Sequence, residues 1–383
     1  MSLGNQREVT EKQLSGNCAK VLSRVLITGA DGFVGKALCA EMVSSGWKVR
    51  ASVRSRNKIR SISQEIEPKQ RAQSPPKVRR SGLAAGLASE IKTDTISYGR
   101  RFPAACSGEL QIIETGSIGP DTEWAHALDN VDLVVHLAGL VHVMKDSLSD
   151  PLSEYRIVNT AGTEKLARSA ASSGVRRFIF MSTVKVNGEG REVQYCEDDI
   201  PGPLDPYGIS KWEAEKIIKA IANETGMETV IIRTPMVYGP EVKANFLKLL
   251  KAVDSGIPMP LASVNNRRSI IYLGNLVDVI MTCLTHHEAG QKTYLVSDGK
   301  DVSTPELIRQ IATALGKPVR LFHLPMFMLS LAGFITGKSQ EIKRLTGSLA
   351  VDSSKIRKEL GWNPPFTLAR GLKQTAEWFN KMN

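Results

Sequence analysis

Short apolar runs alternate with helix-like stretches from residue 25 to residue 233. The runs are mostly continuous rather than alternately apolar and polar, which is typical of parallel strands buried on both faces. Strands are predicted at 25–28, 48–53, 110–114, 131–139, 177–181 and 228–233. Helices are predicted at 36–42, 124–128, 155–173 and 213–223. This alternation predicts an α/β fold with a doubly wound parallel sheet.

Three glycines with the spacing Gly29-x-x-Gly32-x-x-Gly35 separate the first predicted strand from the helix that follows it. Such a turn can bring the backbone N–H groups of a helix N-terminus close to a pyrophosphate. The triplet alone is equally consistent with an ordinary strand-to-helix turn. Because a second strand follows the helix, the segment has the element order of a Rossmann unit, and it therefore predicts a dinucleotide site.

The regular alternation weakens after Gly239, and helical patterns dominate from Pro305 to the end of the chain. This change predicts a smaller, α-rich C-terminal domain that binds substrate. The predicted divisions are a loose N-terminal extension at 1–20, a Rossmann dinucleotide-binding domain at 21–185, a mixed region at 186–300 and a substrate domain at 301–383. Within the mixed region, cofactor-domain elements at 205–238 and 270–298 alternate with substrate-binding segments.

The formal net charge of +11 is concentrated in one part of the chain. Twelve lysines and arginines but only four acidic residues lie between Arg54 and Arg101. This stretch is rich in Ser, Gln, Pro and Arg and has little periodicity, so residues 55–108 are predicted to be a basic, disordered insertion. Few aromatic residues are interleaved in it and no groove-reading motif accompanies it, so no nucleic-acid partner is expected, although a lipid or protein partner stays open.

No apolar segment reaches the roughly 20 residues that a membrane-spanning helix needs. The longest one, 324–335, is interpreted as a buried or lid helix. Residues 1–20 are polar and lack the apolar centre of a secretory signal, so a cytoplasmic location is expected. The five cysteines are scattered without a Cys-x-x-Cys pair, which predicts reduced thiols, no disulfide framework and no metal site.

A phenol and an ammonium group are spaced four residues apart at Tyr207 and Lys211, hence on one face of a helix. Ser182 and Thr183 end the predicted strand before them, and carboxyl ends of parallel strands are where ligands of such sheets bind. A tyrosine has an ordinary pKa near 10 and needs nearby positive charge to exchange a proton at neutral pH. Lys211 and an oxidised nicotinamide are candidates for that charge, whereas the alternative is a surface Tyr–Lys stack.

Six motifs occur together in the order found in one known family. They are Thr28-Gly29-x-x-Gly32-x-x-Gly35, His136-Leu137-Ala138-Gly139, Asn159-Thr160-Ala161-Gly162-Thr163, Ser182-Thr183, Tyr207-x-x-x-Lys211 and Arg233-Thr234-Pro235-x-Val237-Tyr238-Gly239-Pro240. From about Ser23 to Trp378, apart from the insertion, the chain resembles the extended short-chain dehydrogenase/reductases of the nucleotide-sugar epimerase/dehydratase family. The resemblance implies a UDP-sugar substrate and leaves a homodimer open.

The resemblance also implies roles for individual residues. Tyr207 would be the general acid/base, Lys211 would lower its pKa and bind the nicotinamide ribose, and Thr183 would hydrogen-bond the substrate oxygen. Ser182, Asn245 and Arg268 would contact substrate, the last two at its diphosphate. The remaining cofactor-binding positions would be Gly29, Gly32, Phe33, Val34, Gly35, Arg54, Ala138 and Asn159. His136 is expected to pack rather than to catalyse.

The reaction can be narrowed from the same resemblance. Family dehydratases carry Asp-Glu after the catalytic threonine, whereas Val184-Lys185 follow here, so dehydration is not expected. Segments 141–146, 184–189 and 347–355 resemble UDP-N-acetylquinovosamine dehydrogenases, which favours reduction of a UDP-4-keto-6-deoxy sugar for surface polysaccharide synthesis. The alternative is a UDP-sugar 4-epimerase that retains NAD.

The cofactor is predicted to be NADP or NAD. Arg54 follows the second strand, where an arginine suits a 2′-phosphate, and this favours NADPH. The same arginine can equally be the first charge of the basic insertion.

Overall fold

The computed structural model describes residues 23–55, 94–98, 108–141 and 150–382, with the backbone only for 94–98. The predicted N-terminal extension, most of the predicted insertion, and Cys18 and Cys106 lie outside the described residues, as does most of segment 141–146. Among the described cysteines, Cys39, Cys196 and Cys283 form no disulfide.

Strands and helices alternate along the described chain. The strands are β1 (Arg24–Thr28), β2 (Lys48–Val53), β3 (Asp94–Tyr98), β4 (Gly108–Glu114), β5 (Leu133–His136), β6 (Arg177–Thr183), β7 (Glu228–Thr234), β8 (Met236–Tyr238), β9 (Ile270–Tyr272) and β10 (Lys292–Leu295). The α-helices are α1 (Phe33–Ser44), α2 (Ala125–Leu128), α3 (Pro151–Tyr155), α4 (Gly162–Ser172), α5 (Pro206–Thr225), α6 (Ala244–Asp254), α7 (Leu273–Thr285), α8 (Thr304–Leu315), α9 (Met326–Ile335), α10 (Ser339–Thr346), α11 (Ser354–Leu360) and α12 (Leu368–Met382).

The chain divides into two compact units. The first comprises Met1–Gly139 and Ala161–Phe178, and the second comprises Leu140–Thr160 and Ile179–Asn383. The predicted domain boundaries stay predictions beside this division.

The first unit is built on four parallel strands in the order β5-β1-β2-β4, with β3 antiparallel on the outer side of β4. The central strand β1 pairs with β2 on one side and β5 on the other, so Val25, Leu26 and Ile27 are fully buried. The register sets Thr28 opposite both Ser52 and His136. Strands β1, β2 and β5 therefore end side by side, and the glycine turn follows the end of β1.

The second unit contains strands in the order β10-β7-β6, with β10 parallel to β7, and a parallel pair of β8 and β9. Helix α5 begins where Asp205 caps it and Pro206 occupies its first turn, and it ends at Gly226 with φ +75°. Beyond β10 the unit is mostly helical, from α8 to α12. The parallel strands and intervening helices confirm the predicted α/β fold class, and the C-terminal region is α-rich as predicted.

Several predicted elements differ in detail. Residues 94–98, inside the predicted disordered insertion, pair with β4 as a strand. The predicted helix at 155–173 contains a π-helical segment, Arg156–Ala161. The predicted helix at 324–335 exists as α9, but the interpretation that it is buried is wrong, because only Leu329 and Gly333 of α9 are buried. None of the described helices is long and apolar enough to cross a membrane.

Candidate active site

The glycine turn of the first unit forms a tight backbone cradle between β1 and α1. Gly29 has φ +66°, and a Cβ atom added there would lie 2.9 Å from the backbone N and Cα of Ala138. A Cβ on Gly35 would lie 2.2 Å from the carbonyl oxygen of Gly29. The Gly32 N–H donates to that same carbonyl at 2.9 Å. Only glycines fit these positions without moving the backbone.

Helix α1 begins at Phe33 and Val34 and has no side-chain cap, because its N-cap residue is Gly32. The first N–H groups of an α-helix have no acceptor within the helix. An anionic group at this end would accept from these amides and would interact favourably with the helix dipole. The donor set and the cradle thus fit the pyrophosphate of a dinucleotide.

His136 packs between two hydroxyl groups in the first unit. Its Nδ1 lies 2.7 Å from the Thr28 Oγ1 and its Nε2 lies 2.9 Å from the Thr163 Oγ1. The Thr28 hydroxyl also accepts from the Ala138 N–H at 3.3 Å. His136 therefore packs against Thr28, which in turn binds the Ala138 N–H beside the cradle, in agreement with the predicted packing role. Arg54 is exposed directly after β2, so its position suits either of its two predicted roles.

Replacing Gly35 by alanine is expected to displace this cradle. The added methyl would collide with backbone atoms, which cannot rotate away, so we expect a loss of about 1 to 3 kcal/mol in the free energy of unfolding. NAD affinity should fall as well, measured by calorimetric titration of the purified protein. Gly202→Ala is the control, because its Cβ would meet only the Asn187 carbonyl oxygen at 3.7 Å. Equal NAD affinity in both variants would contradict the assigned cradle.

Helix α5 of the second unit carries the predicted acid/base pair. Asp205 accepts from the Gly208 N–H at 2.7 Å and fixes the first turn, which contains Tyr207. Lys211 follows one turn later and is buried. Its Nζ donates to the Met181 carbonyl oxygen of β6 at 3.0 Å and lies 4.5 Å from the centre of the Phe180 ring. The structure thus places Tyr207 and Lys211 on the helix face that the spacing predicts.

Burial shifts the pKa of both Tyr207 and Lys211. Burial lowers the pKa of Lys211 from 10.5 to about 8, partly offset by Glu215. Burial raises the pKa of Tyr207 above its ordinary value of 10, and the nearby Asp205 and Tyr155 act in the same direction. In the chain alone, Tyr207 is therefore a phenol at neutral pH, ready to donate a proton.

The lowered pKa of Lys211 predicts a pH-dependent stability. Between about pH 8 and pH 10.5 the unfolded chain holds the lysine proton and the folded chain has released it. The contribution of Lys211 to the free energy of unfolding must therefore rise with pH across this window. Relative to Lys211→Met, the wild-type free energy of unfolding should increase by about 2 kcal/mol from pH 7 to pH 9.5. Urea titrations at the two pH values measure this difference, and a pH-independent difference would show that Lys211 titrates normally.

Ser182 and Thr183 end β6 in different environments. The Thr183 Oγ1 accepts from the Lys185 N–H at 3.3 Å, which leaves its own proton available to a substrate oxygen. The Ser182 hydroxyl donates to the Glu215 Oε1 at 2.5 Å and is buried. A substrate contact by Ser182 would therefore have to use its oxygen lone pairs, and it stays a prediction.

Asn159 is buried in the π-helical segment and links two other parts of the second unit. Its Oδ1 accepts from the Leu140 N–H at 2.7 Å, and its Nδ2 donates to the Leu140 carbonyl oxygen and to the Ser210 Oγ. Ser210 in turn donates to the Tyr207 carbonyl oxygen at 2.8 Å. Asn159 therefore helps to position the first turn of α5, and its predicted cofactor contact stays a prediction.

A buried ion pair lies beside these residues and was not predicted from the sequence. Arg233 of β7 donates through Nη2 to the Glu215 Oε2 at 2.7 Å and through Nε to the Glu215 Oε1 at 3.0 Å. Its Nη1 donates to the Asn187 Oδ1 at 3.1 Å. Glu215 lies four residues after Lys211 and eight after Tyr207, so helical spacing alone could have pointed to it.

The two predicted diphosphate contacts lie in different settings. Asn245 is exposed in the first turn of α6. The Arg268 Nη1 donates to the carbonyl oxygens of Arg344 and Gly347, at 2.5 and 3.1 Å. Burial lowers the pKa of Arg268. The structure thus gives Arg268 backbone partners, and both diphosphate contacts stay predictions.

The predicted residues divide between the two units. The glycine cradle, Arg54 and Ala138 belong to the first unit. The second unit contains the predicted catalytic residues Thr183, Tyr207 and Lys211, and also Ser182 and Asn159.

Comparison with known proteins gives the family. Residues 25–297 match the NAD dependent epimerase/dehydratase family. A UDP-glucose 4-epimerase of Vibrio cholerae is 48% identical over 296 residues, which cover 76% of this chain and 90% of the relative. An N-acetyl-alpha-D-glucosaminyl-diphospho-ditrans,octacis-undecaprenol 4-epimerase of Escherichia coli O157:H7 is 29% identical over 70% of this chain and 83% of the relative.

Solved structures show the same fold at low sequence identity. A UDP-glucuronic acid 4-epimerase of Bacillus cereus in complex with UDP-glucuronic acid and NAD has a TM-score of 0.69 and 20% identity, covering 94% of this chain and 100% of that chain. A UDP-glucose 4-epimerase of Thermotoga maritima with UDP-glucose has a TM-score of 0.64 and 20% identity, covering 94% and 99%.

The family predicted from the six motifs is confirmed by these matches, and with it the Rossmann type of the fold. The more specific expectation of a UDP-N-acetylquinovosamine dehydrogenase is not confirmed, because the relatives named above are 4-epimerases. The chain belongs to the NAD dependent epimerase/dehydratase family.

Proposed function

We propose that this protein is a 4-epimerase, which interconverts a UDP-hexose and its C4 epimer with NAD as cofactor. The observation that carries the proposal is the 48% identity to the Vibrio cholerae UDP-glucose 4-epimerase over 90% of that protein. The intact set of Thr183, Tyr207 and Lys211 supports it, because a 4-epimerase needs one acid/base group and one oxygen-binding group.

The first unit would hold the cofactor through the glycine cradle and the first amides of α1. Bound there, NAD would supply a hydride acceptor for C4 and would return the same hydride to the opposite face of the sugar. Arg54, exposed directly after β2, would contact the adenosine ribose or a 2′-phosphate, and Ala138 closes the cradle against Gly29.

The second unit would carry out the proton transfers. As C4–H is lost as hydride, Tyr207 Oη accepts the proton of the C4 hydroxyl, and a ketone forms at C4. Thr183 donates a hydrogen bond to that oxygen throughout. The proton then returns from Tyr207 to the oxygen when the hydride returns, so no atom is gained or lost overall.

Because the pKa of Tyr207 is raised, nearby positive charges must favour its phenolate form before it can accept a proton. Burial makes Tyr207 a phenol in the chain alone, whereas the oxidation half-reaction needs a phenolate. The positive charge of Lys211 and of an oxidised nicotinamide would both favour the phenolate. At neutral pH Lys211 is still largely charged, because its pKa is about 8.

Dehydration is disfavoured by the residues after Thr183. Val184 carries no acid or base, and the Lys185 ammonium is paired with Glu189 at 2.9 Å and with Asp205. No carboxylate of the kind that eliminates water occupies either position.

Reduction of a UDP-4-keto-6-deoxy sugar is the second candidate. The exposed Arg54 after β2 favours it, since an arginine there suits NADPH, the cofactor of a net reductase. The same three catalytic residues would serve, with Tyr207 donating its proton once. A cytoplasmic location and a homodimer stay predictions.

Turnover of defined substrates separates the two candidates. Purified protein with NAD⁺ is given UDP-glucose or UDP-N-acetylglucosamine, and the products are resolved by chromatography. A C4-inverted product with no net change in absorbance at the reduced-nicotinamide band supports epimerisation. Stoichiometric consumption of NADPH with a UDP-4-keto-6-deoxy-N-acetylhexosamine, without epimerisation of either UDP-hexose, would support the reductase instead.

A further inference from the structure

Helix α9 exposes most of its apolar side chains. Phe327, Leu331, Phe334 and Ile335 are 72, 55, 78 and 73% exposed, and Met326 and Met328 are also exposed. Only Leu329 and Gly333 of the helix are buried. An isolated exposed apolar residue is ordinary, but a contiguous group of this size marks an interaction surface.

Helix α10 packs against α9 at Gly333. A Cβ on Gly333 would lie 2.6 Å from the Ile342 Cδ1, so the two helices pack closely at this glycine. The Lys338 N–H donates to the Gly333 carbonyl oxygen at 2.8 Å and fixes the turn between the helices. We call residues 326–346 the α9–α10 hairpin. The exposed apolar side chains of α9 lie away from the Gly333–Ile342 contact.

The charges of the hairpin itself are mostly positive. Lys338 lies at its turn, and Lys343 and Arg344 lie in the last turn of α10, all three exposed. Lys317, which is paired with Asp254 at 3.0 Å, and Arg320 precede the hairpin, and Glu341 is the one acidic residue of the hairpin. The two helices together therefore expose Phe and Leu on α9 and Lys and Arg on the turn and α10, the residue types that interfacial segments present to a bilayer surface.

We propose that the α9–α10 hairpin docks this protein onto an anionic membrane surface. Helix α9 would lie in the plane of the interface with its phenylalanines among the upper acyl chains, while Lys338, Lys343 and Arg344 contact anionic headgroups. Ten residues of helix reach about 15 Å, roughly half the thickness of the hydrocarbon core, so the contact would be peripheral.

Charge favours a lipid surface over a second copy of the chain. A two-fold contact through this face would bring together two surfaces that each carry a net positive charge, and like charges repel. An anionic bilayer complements both the apolar and the cationic parts of the surface. The proposal is independent of which sugar the protein converts.

Vesicle co-sedimentation tests this docking with the full-length protein. We expect binding to vesicles of phosphatidylcholine with 30 mol% phosphatidylglycerol, and weak binding to phosphatidylcholine alone. Phe327→Ser with Phe334→Ser should lower the partition coefficient at least about tenfold. Lys343→Gln with Arg344→Gln should lower it by a similar factor, for the anionic vesicles only. Val193→Ser with Ile200→Ser is the control, since it removes two exposed apolar residues elsewhere.

Circular dichroism and the epimerase assay without vesicles check that each variant is folded. Absence of vesicle binding by the wild type would overturn the proposal, as would equal binding by the phenylalanine double variant and the control. Dimers that form without lipid and are lost in the phenylalanine double variant, with no vesicle binding, would assign the surface to a second copy instead. Failure of epimerisation with vesicle binding retained would overturn only the proposed reaction.

Discussion

Tyr207→Phe is expected to lower kcat of epimerisation by a factor of roughly 10² to 10⁴, the range that one positioned acid/base group contributes. The substitution removes only the hydroxyl that exchanges a proton with the C4 oxygen, and it keeps the ring that lies 6.0 Å from the Tyr155 ring, centre to centre. Steady-state rates with UDP-glucose measure the loss. NAD affinity, measured by calorimetry, should change little.

Tyr294→Phe is the matched control for this loss. It also removes a tyrosine hydroxyl, one that donates to the Glu359 Oε2 at 2.9 Å, but Tyr294 lies in β10 and has no proposed part in catalysis. We expect its kcat to stay within about twofold of wild type, with a loss in stability of about 1 kcal/mol. A Tyr207→Phe enzyme as active as this control would remove Tyr207 from the mechanism.

Arg233→Leu is expected to lower the free energy of unfolding by about 3 to 5 kcal/mol. The substitution leaves the Glu215 carboxylate buried without its cation, and an uncompensated buried charge is among the costliest single defects. Both side chains are almost completely buried. Urea denaturation at neutral pH measures the loss, and the displaced Glu215 should also disturb α5 and thereby lower kcat.

The exposed pair of Arg156 and Glu213 gives a matched control on the same helix. Arg156 donates to Glu213 at 2.6 Å, but the two side chains are 50 and 22% exposed. Arg156→Leu should therefore cost far less stability than Arg233→Leu. Arg233→Leu combined with Glu215→Leu should recover part of the loss, because no unpaired charge remains. If Arg233→Leu cost no more than Arg156→Leu, the buried pair would not have the role assigned to it.

The local features of the site could be predicted because their signals lie close together in the sequence. Helical spacing placed Tyr207 and Lys211 on one face, and the glycine spacing marked the cradle. The buried Arg233–Glu215 pair was harder to predict. Arg233 lies on a strand 18 residues from Glu215, so their contact depends on tertiary packing. The commitment of the Ser182 hydroxyl to Glu215 has the same cause.

Helix α9 shows a different limit. Its apolar sequence correctly predicts a helix, but composition cannot say whether other elements cover it. In the structure α10 packs closely beside it at Gly333, but most of its other apolar side chains are exposed, so the buried interpretation fails. The π-helical segment at Arg156–Ala161 was also not predicted, because π-helix occurs mostly as single turns inside α-helices, too short to interrupt a helical pattern.

The fate of the hydrogen on C4 tests the central claim most directly. UDP-glucose deuterated at C4 is incubated with the protein and NAD⁺ in ordinary water, and the UDP-galactose formed is analysed by mass spectrometry. Hydride removal and return by one cofactor predicts that the product keeps its deuterium at C4. Loss of the deuterium to solvent, or no UDP-galactose and no C4 epimer of UDP-N-acetylglucosamine, would contradict the proposed 4-epimerase.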